Sequence, residues 1–178
     1  MTETPLWVFG YGSLMWDPGF EYCDKQIARL HGYHRAFCMH SIHYRGTAEN
    51  PGLVLALDQL KGAHCDGLAF QVAPQNAADV MDYLRERELV SEAYLEIQHP
   101  VELRSGANVQ AVTYVIDAHH AQYCGGLTLE QQAGIIAHAH GARGPNADYL
   151  HNTAAHLHEL GISDDELDWL SGRVRALV

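Results

Sequence analysis

Polar and apolar residues alternate in short runs over the first two thirds of the chain, and the period lengthens to about 3.6 in the last third. Leu6–Gly10 is a short apolar run that reads as a buried strand. His31–Arg45 interleaves aromatic and apolar residues with polar ones, which suits one long strand or two joined by a bend. Gly52–Asp58 and Gly67–Ala73 flank Lys61-Gly62, the pattern of a hairpin. Tyr94–Arg104 and Val109–Asp117 form a second pair of β-rich runs around a turn at Ser105-Gly106-Ala107-Asn108. Between them, Gln75–Glu88 carries the helical period. Thr128-Leu-Glu-Gln131 is a capping-box pattern that opens a helix reaching about His140 and stopping near Gly141. Asn146 is positioned to cap a third helix ending at Gly161, and Ser163-Asp-Asp-Glu166 is a second capping box before a terminal helix through Leu177. The expectation is an α+β chain with six or seven mostly antiparallel strands, flanking helices and a helical C-terminal third. No repeat, low-complexity segment or linker interrupts it, so residues 1–178 read as a single domain.

Composition narrows the partners. Hydrophobic residues are 47% and charged residues 19%, an ordinary globular balance. Eleven Lys+Arg against 22 Asp+Glu give a net charge of −11, which argues against nucleic acid or an anionic membrane as partner. The longest apolar run, about Leu53–Leu57, is far below the ~20 residues of a membrane span. The opening Met-Thr-Glu-Thr-Pro lacks the basic and apolar regions of a secretory signal, so the expected location is the cytoplasm. Cys23, Cys38, Cys65 and Cys124 form no CxxC pair and read as packing thiols in a reducing compartment.

Glu88 is the first candidate for chemistry. Ala77, Met81, Leu84 and Glu88 share one helix face, so a carboxylate continues an otherwise apolar stripe. Glu86 points elsewhere, toward solvent. Desolvation and the negative end of the helix dipole both raise the pKa of such a group, as acid/base work near neutral pH requires. Spacing leaves a second reading open, in which the helix frays at Arg87 and Glu88 is an exposed end residue. Gly10-Tyr11-Gly12-Ser13-Leu14 follows a buried strand directly. Two glycines there permit positive φ and close approach of backbone amides to a carboxylate or oxyanion. A plain tight turn fits the same residues, and neither a P-loop nor a nucleophile elbow does. The 13 histidines include no HExxH and no His/carboxylate pair at helical i, i+4 spacing, so no metal site is expected. Arg45, after His43-Tyr44, is either a carboxylate clamp or an exposed strand-end arginine.

Val8-Phe-Gly-Tyr-Gly-Ser-Leu-Met-Trp16 resembles the N-terminal signature of the ChaC-like γ-glutamylcyclotransferases, which act on glutathione. The resemblance continues through Tyr44-Arg-Gly-Thr47, Pro51-Gly-Leu-Val-Leu55, the Tyr83-Leu84 to Arg87-Glu88 stretch and Asp148-Tyr149-Leu150, and so spans nearly the whole chain. It implies a small mixed β-barrel of the γ-glutamylcyclotransferase type and cleavage of glutathione to 5-oxoproline and Cys-Gly. Glu88 falls on the family's catalytic glutamate, and the loop Val8, Phe9, Gly10, Tyr11, Gly12, Ser13, with Leu14 after it, on its γ-glutamyl-binding segment. Arg45 and Tyr149 are further candidates for carboxylate contacts. The reaction needs no cofactor, metal or protein nucleophile, because the substrate's own α-amine attacks its γ-carbonyl. One departure is Leu89-Val-Ser-Glu-Ala93, where family members often carry glycine; Glu92 there adds a negative charge near an anionic substrate. Other γ-glutamyl amines or amino acids are the alternative substrates. A binding or regulatory protein of ion transport on the same scaffold, and a distant serine hydrolysis through Ser13, are the alternative roles. Oligomeric state is left open.

Overall fold

A computed structural model of the chain describes residues 4–89 and 92–178. Five strands close a barrel in the order β1-β3-β2-β4-β5: β1 Leu6–Gly10, β2 Asp24–Ser41, β3 Gly52–Val72, β4 Tyr94–Leu103 and β5 Asn108–Ile116. Helix α1, Ala77–Glu88, lies between β3 and β4 in the chain. The C-terminal third holds α2 (Leu129–His138), the two-residue strands β6 (His140–Gly141) and β7 (Gly144–Pro145), α3 (Asn146–Leu160) and α4 (Asp165–Leu177). The architecture is the α+β fold with a helical C-terminal third that the patterning implies, closed into the barrel that the resemblance implies.

Two compact units share this chain, one through Arg35 and over Leu57–His120, the other over Ala36–Ala56 and Ala121–Val178. The long strands β2 and β3 run through both. In the first unit β1 is the pivotal strand. It pairs antiparallel with β3 from Leu6↔Val72 to Gly10↔Leu68, and parallel with β5 at Val8↔Val112. Its inward residues join a core of Phe9, Ala28, Leu30, Leu57, Ala69, Val101 and Val115. Burial of one such side chain is worth about 1.5–3 kcal/mol, so this core fixes where the strand ends. In the second unit α2, α3 and α4 pack on one another around Ile136, Leu150, Leu157, Leu167 and Val174.

Several local expectations need correction. Lys61-Gly62 is not a turn; Gly52–Asp58 and the Gly67–Val72 part of the second run belong to one 21-residue strand. A two-residue hairpin turn of type I′ requires positive φ at both central residues, and only Gly62 adopts it (φ 85). Gly62 instead lies within the unbroken strand, where a left-handed glycine is accommodated as at a β-bulge. β2 starts at Asp24, well before His31, because Ala28 and Leu30 face inward while Arg29 between them pairs outward with Asp66 at 2.8 Å.

The capping box at Thr128 forms in full, with both reciprocal bonds to Gln131. Asn146, by contrast, does not cap α3; Pro145 occupies the N-cap. Asn146 is fully buried, and its amide instead closes a pair of bonds with Leu53, accepting from the backbone N–H and donating to the C=O, both at 2.8 Å. The terminal helix is capped one residue later than expected, by Asp164 accepting from the Leu167 N–H at 3.1 Å.

Replacing Asn146 with alanine strands a buried donor and a buried acceptor on Leu53, each worth about 1–3 kcal/mol. Urea unfolding of Asn146→Ala is expected to show a loss of roughly 2–4 kcal/mol. Thr128→Ala, at an exposed cap, is expected to cost about 1 kcal/mol.

Candidate active site

The helix α1 does not fray at Arg87. It continues through Glu88, and Leu89 caps it with an N–H bond to the Arg85 carbonyl. Val80 and Leu84 are buried and set the inward face, while Glu86 is exposed. The Glu88 side chain follows that face and keeps only 19% of its surface in water. Burial raises its pKa, and the Arg87 guanidinium opposes the rise from 3.5 Å away. The exposed-end reading of Glu88 therefore gives way to a withdrawn carboxylate that takes up protons more readily than an ordinary glutamate.

A second group faces Glu88 from β5. Tyr114 is 2% exposed and its hydroxyl donates to Glu96 at 2.9 Å. Its pKa rises through burial first, then through the bond to Glu96, with Glu88 adding a smaller push. Arg85 grips Glu96 with Nε at 3.0 Å and Nη2 at 3.2 Å, which holds the Glu96 carboxyl below its usual range. The order of bonds is Arg85 to Glu96 to Tyr114, with Glu88 beside the chain of bonds and not in it.

The loop after β1 is built by backbone contacts. Val8 and Phe9 are fully buried. The carbonyl of Phe9 accepts from the buried Thr113 hydroxyl at 3.1 Å, and that of Tyr11 from Arg35 Nε at 2.8 Å. Ser13–Met15 then makes one 3₁₀ turn, in which the Met15 N–H donates to the Gly12 carbonyl at 2.9 Å. The carbonyls of Tyr11 and Gly12 are thus engaged, while the first amides of such a turn have no partner within it. Neither Gly10 nor Gly12 adopts the positive φ that the sequence reading allows them. Gly10 is needed because a Cβ would stand 2.9 Å from that of Leu14, and at Gly67 a Cβ would press on the Gly10 carbonyl at 2.3 Å. Close approach constrains Gly10 and Gly67, whereas a Cβ at Gly12 would meet nothing within 4 Å.

One residue left without a role by the sequence ties these parts together. Arg87 Nη1 donates to the carbonyls of Asp17 (2.7 Å) and Pro18 (3.2 Å) and to the Tyr83 hydroxyl (3.1 Å). Its Nη2 donates to the Ser13 hydroxyl at 3.0 Å. Glu88 and the Gly10–Leu14 loop are therefore joined through a single guanidinium. Tyr114, Thr113 and Arg35 were also invisible as site residues, since each acts through a backbone carbonyl or a partner far along the chain.

Arg45 and Tyr149 form their own pair in the second unit. Arg45 lies over the Tyr149 ring at 5.8 Å, and its Nη1 donates to the carbonyls of Arg143 (3.0 Å) and Pro145 (3.2 Å). The Tyr149 hydroxyl accepts from the Leu55 N–H at 3.2 Å. Glu92, in the stretch where glycine was expected, is exposed and has φ 59, a left-handed conformation that glycine adopts without strain. Val90 and Ser91 of that stretch lie outside the described residues. Among the described residues no three His, Cys, Asp or Glu side chains gather as metal ligands, and no helix is long and apolar enough to cross a membrane.

A closed barrel with this helical tail is also the fold of a yeast γ-glutamyl cyclotransferase specific to glutathione. The two are 25% identical, with a TM-score of 0.83 over 98% of this chain and 99% of that one. The chain belongs to the ChaC-like protein family, whose model matches residues 6–177. It is similar to the glutathione-specific γ-glutamylcyclotransferase of Escherichia coli, with 36% identity over 176 residues, covering 99% of this chain and 75% of that one. The corresponding Schizosaccharomyces pombe enzyme is 34% identical over 175 residues, covering 89% and 85%.

A carboxyl group whose folded pKa is raised favours folding most below its ordinary pKa, and that contribution is lost as pH rises through the folded value. Denaturation of the wild type and Glu88→Gln is therefore expected to give similar stability near pH 4, with the variant gaining on the wild type toward pH 8. A constant difference across that range would contradict the raised pKa.

Proposed function

We propose that the chain is a glutathione-specific γ-glutamylcyclotransferase that releases 5-oxoproline and Cys-Gly, with Glu88 as its general base and acid. The observation that carries this reading is the withdrawn Glu88 carboxylate at the end of α1, next to the loop after β1. Relatives over nearly the full chain bear the name of this activity. The family's substrate carries its own nucleophile, so the protein's task reduces to proton transfer and positioning.

In the proposed reaction the α-amine of the γ-glutamyl unit is mostly protonated at neutral pH, and Glu88 takes its proton. The amine nitrogen attacks the γ-carbonyl carbon and closes a five-membered lactam. Collapse of the tetrahedral intermediate breaks the bond to the cysteine nitrogen, which receives the proton held by Glu88, while the ring nitrogen gives up its second proton, so that a neutral lactam and a Cys-Gly ammonium are released. A raised pKa suits both halves, because the same group must accept and then release a proton near neutrality. The amides around Gly10–Leu14 hold the folded γ-glutamyl unit and face the developing oxyanion. Arg45 and Tyr149 stay candidate donors for substrate carboxylates. Arg45 spends Nη1 on its two carbonyls, and among the described residues Nε and Nη2 remain for a ligand.

The test is mass-spectrometric product analysis with glutathione after dialysis against a chelator. The wild type is expected to give equimolar 5-oxoproline and Cys-Gly, and Glu88→Gln to lose on the order of 10²–10⁴ in turnover. Undiminished turnover by Glu88→Gln would sink the mechanism. Product from other γ-glutamyl amines and none from glutathione would move the substrate while leaving the chemistry.

A further inference from the structure

We propose that Arg87 is a positioning residue with two separable tasks, fixing the γ-glutamyl loop through its guanidinium fork and holding a positive charge against Glu88. This rests on the cyclotransferase reading above and adds a residue to it. The geometry is unusual for a residue at the end of a helix. Arg87 neighbours Glu88 in sequence, so the two side chains leave α1 about 100° apart. The arginine stem nevertheless returns far enough to place Nε 3.5 Å from Glu88 Oε1. Its Nη atoms meanwhile make four bonds, to Asp17, Pro18, Tyr83 and Ser13. Only 21% of the side chain is exposed.

The two tasks follow from two properties of the group. A planar fork directs several N–H donors at fixed angles, and the 13–18 segment supplies three oxygens in its reach. That segment contains the turn whose amides face the substrate, so its placement sets how well the γ-glutamyl unit is held. The charge acts separately. Among the described residues, the groups facing Glu88 are Arg87 from α1 and Tyr114 from β5, whose hydroxyl is committed to Glu96 of β4. Arg87 is the one cation among them, and it favours the ionised form that burial opposes.

Lysine keeps the charge and loses the fork; glutamine loses the charge and most of the fork. Ser13→Ala removes one anchor of the fork and leaves the charge in place. The experiment measures kcat and KM for glutathione across pH 5–9 in the wild type and these three variants, with circular dichroism to confirm folding. As the base, Glu88 must be ionised, so activity falls as pH drops through its pKa. Without the Arg87 charge that pKa rises, and the acid limb of kcat/KM is expected to move to higher pH in Arg87→Gln. In Arg87→Lys and Ser13→Ala the limb is expected to stay near the wild type while KM rises, roughly tenfold for lysine.

An acid limb that is identical in all four proteins overturns the electrostatic task. A KM unchanged in Arg87→Lys and Ser13→Ala overturns the positioning task. If Arg87→Gln does not fold, an acid limb that moves in Arg87→Lys or Ser13→Ala, both of which retain the cation, still counts against the proposal. A wild type that makes no 5-oxoproline overturns the cyclotransferase reading instead, so the two failures are distinct.

Discussion

A carboxylate that must exchange protons near neutrality cannot sit freely in water, nor be fully sealed away from it. Glu88 satisfies this constraint with a side chain 19% exposed, at the negative end of α1. Burial pushes its pKa up and one guanidinium holds that rise in check. Among the described residues no further donor reverses it. The Tyr114 hydroxyl donates a hydrogen bond to Glu96, and the Arg85 fork keeps Glu96 ionised and ready to accept it. Had that hydroxyl turned to Glu88, the bond would have favoured the ionised form and drawn the pKa back down.

The barrel's contribution is to make such an arrangement rigid. β1 pairs with β3 along its length and with β5 at Val8, and the Thr113 hydroxyl holds the Phe9 carbonyl, so the end of the strand is fixed from both sides. The loop that follows inherits this rigidity through two arginines. Arg35, 5% exposed, binds the Tyr11 carbonyl, and Arg87 binds the segment from Ser13 to Pro18. Burying a guanidinium is costly, and it is offset here by carbonyl oxygens that a loop leaving a strand would otherwise have to present to solvent. Each arginine thus satisfies the backbone that it immobilises.

What was legible in the sequence was whatever depends on local periodicity. The spacing of Met81, Leu84 and Glu88 placed the carboxylate on the inward face, and β1, β4, β5 and the Thr128 capping box followed from the same kind of pattern. Interactions between distant segments were not legible. Asn146 looked like a cap because an asparagine before a helical run usually is one, yet its amide serves Leu53, 93 residues away. The continuity of β3 was hidden because Gly62 reads as a turn residue, when it lies with positive φ inside a strand that runs unbroken from Gly52 to Val72. The loop glycines were read for conformational freedom, while Gly10 and Gly67 answer to crowding. Arg87 was passed over for a similar reason. Its partners are mostly backbone carbonyls and hydroxyls, which carry no residue-level signature.

The net charge of −11 bears on how such a site takes an anionic peptide. The overall field repels it, so recognition depends on donors at short range. Most of the chain's arginines are already engaged, with Arg29 on Asp66, Arg85 on Glu96 and Arg173 on Glu130. Backbone amides are the donors that the acidic composition does not diminish. They carry no net charge, they do not titrate, and they can be aimed by fixing the loop that bears them. An arginine spent on the loop's carbonyls is therefore well used even though it need not touch the substrate. It converts a positive charge that solvent would screen into fixed geometry, and geometry is what a ring closure by the substrate's own amine requires of the protein.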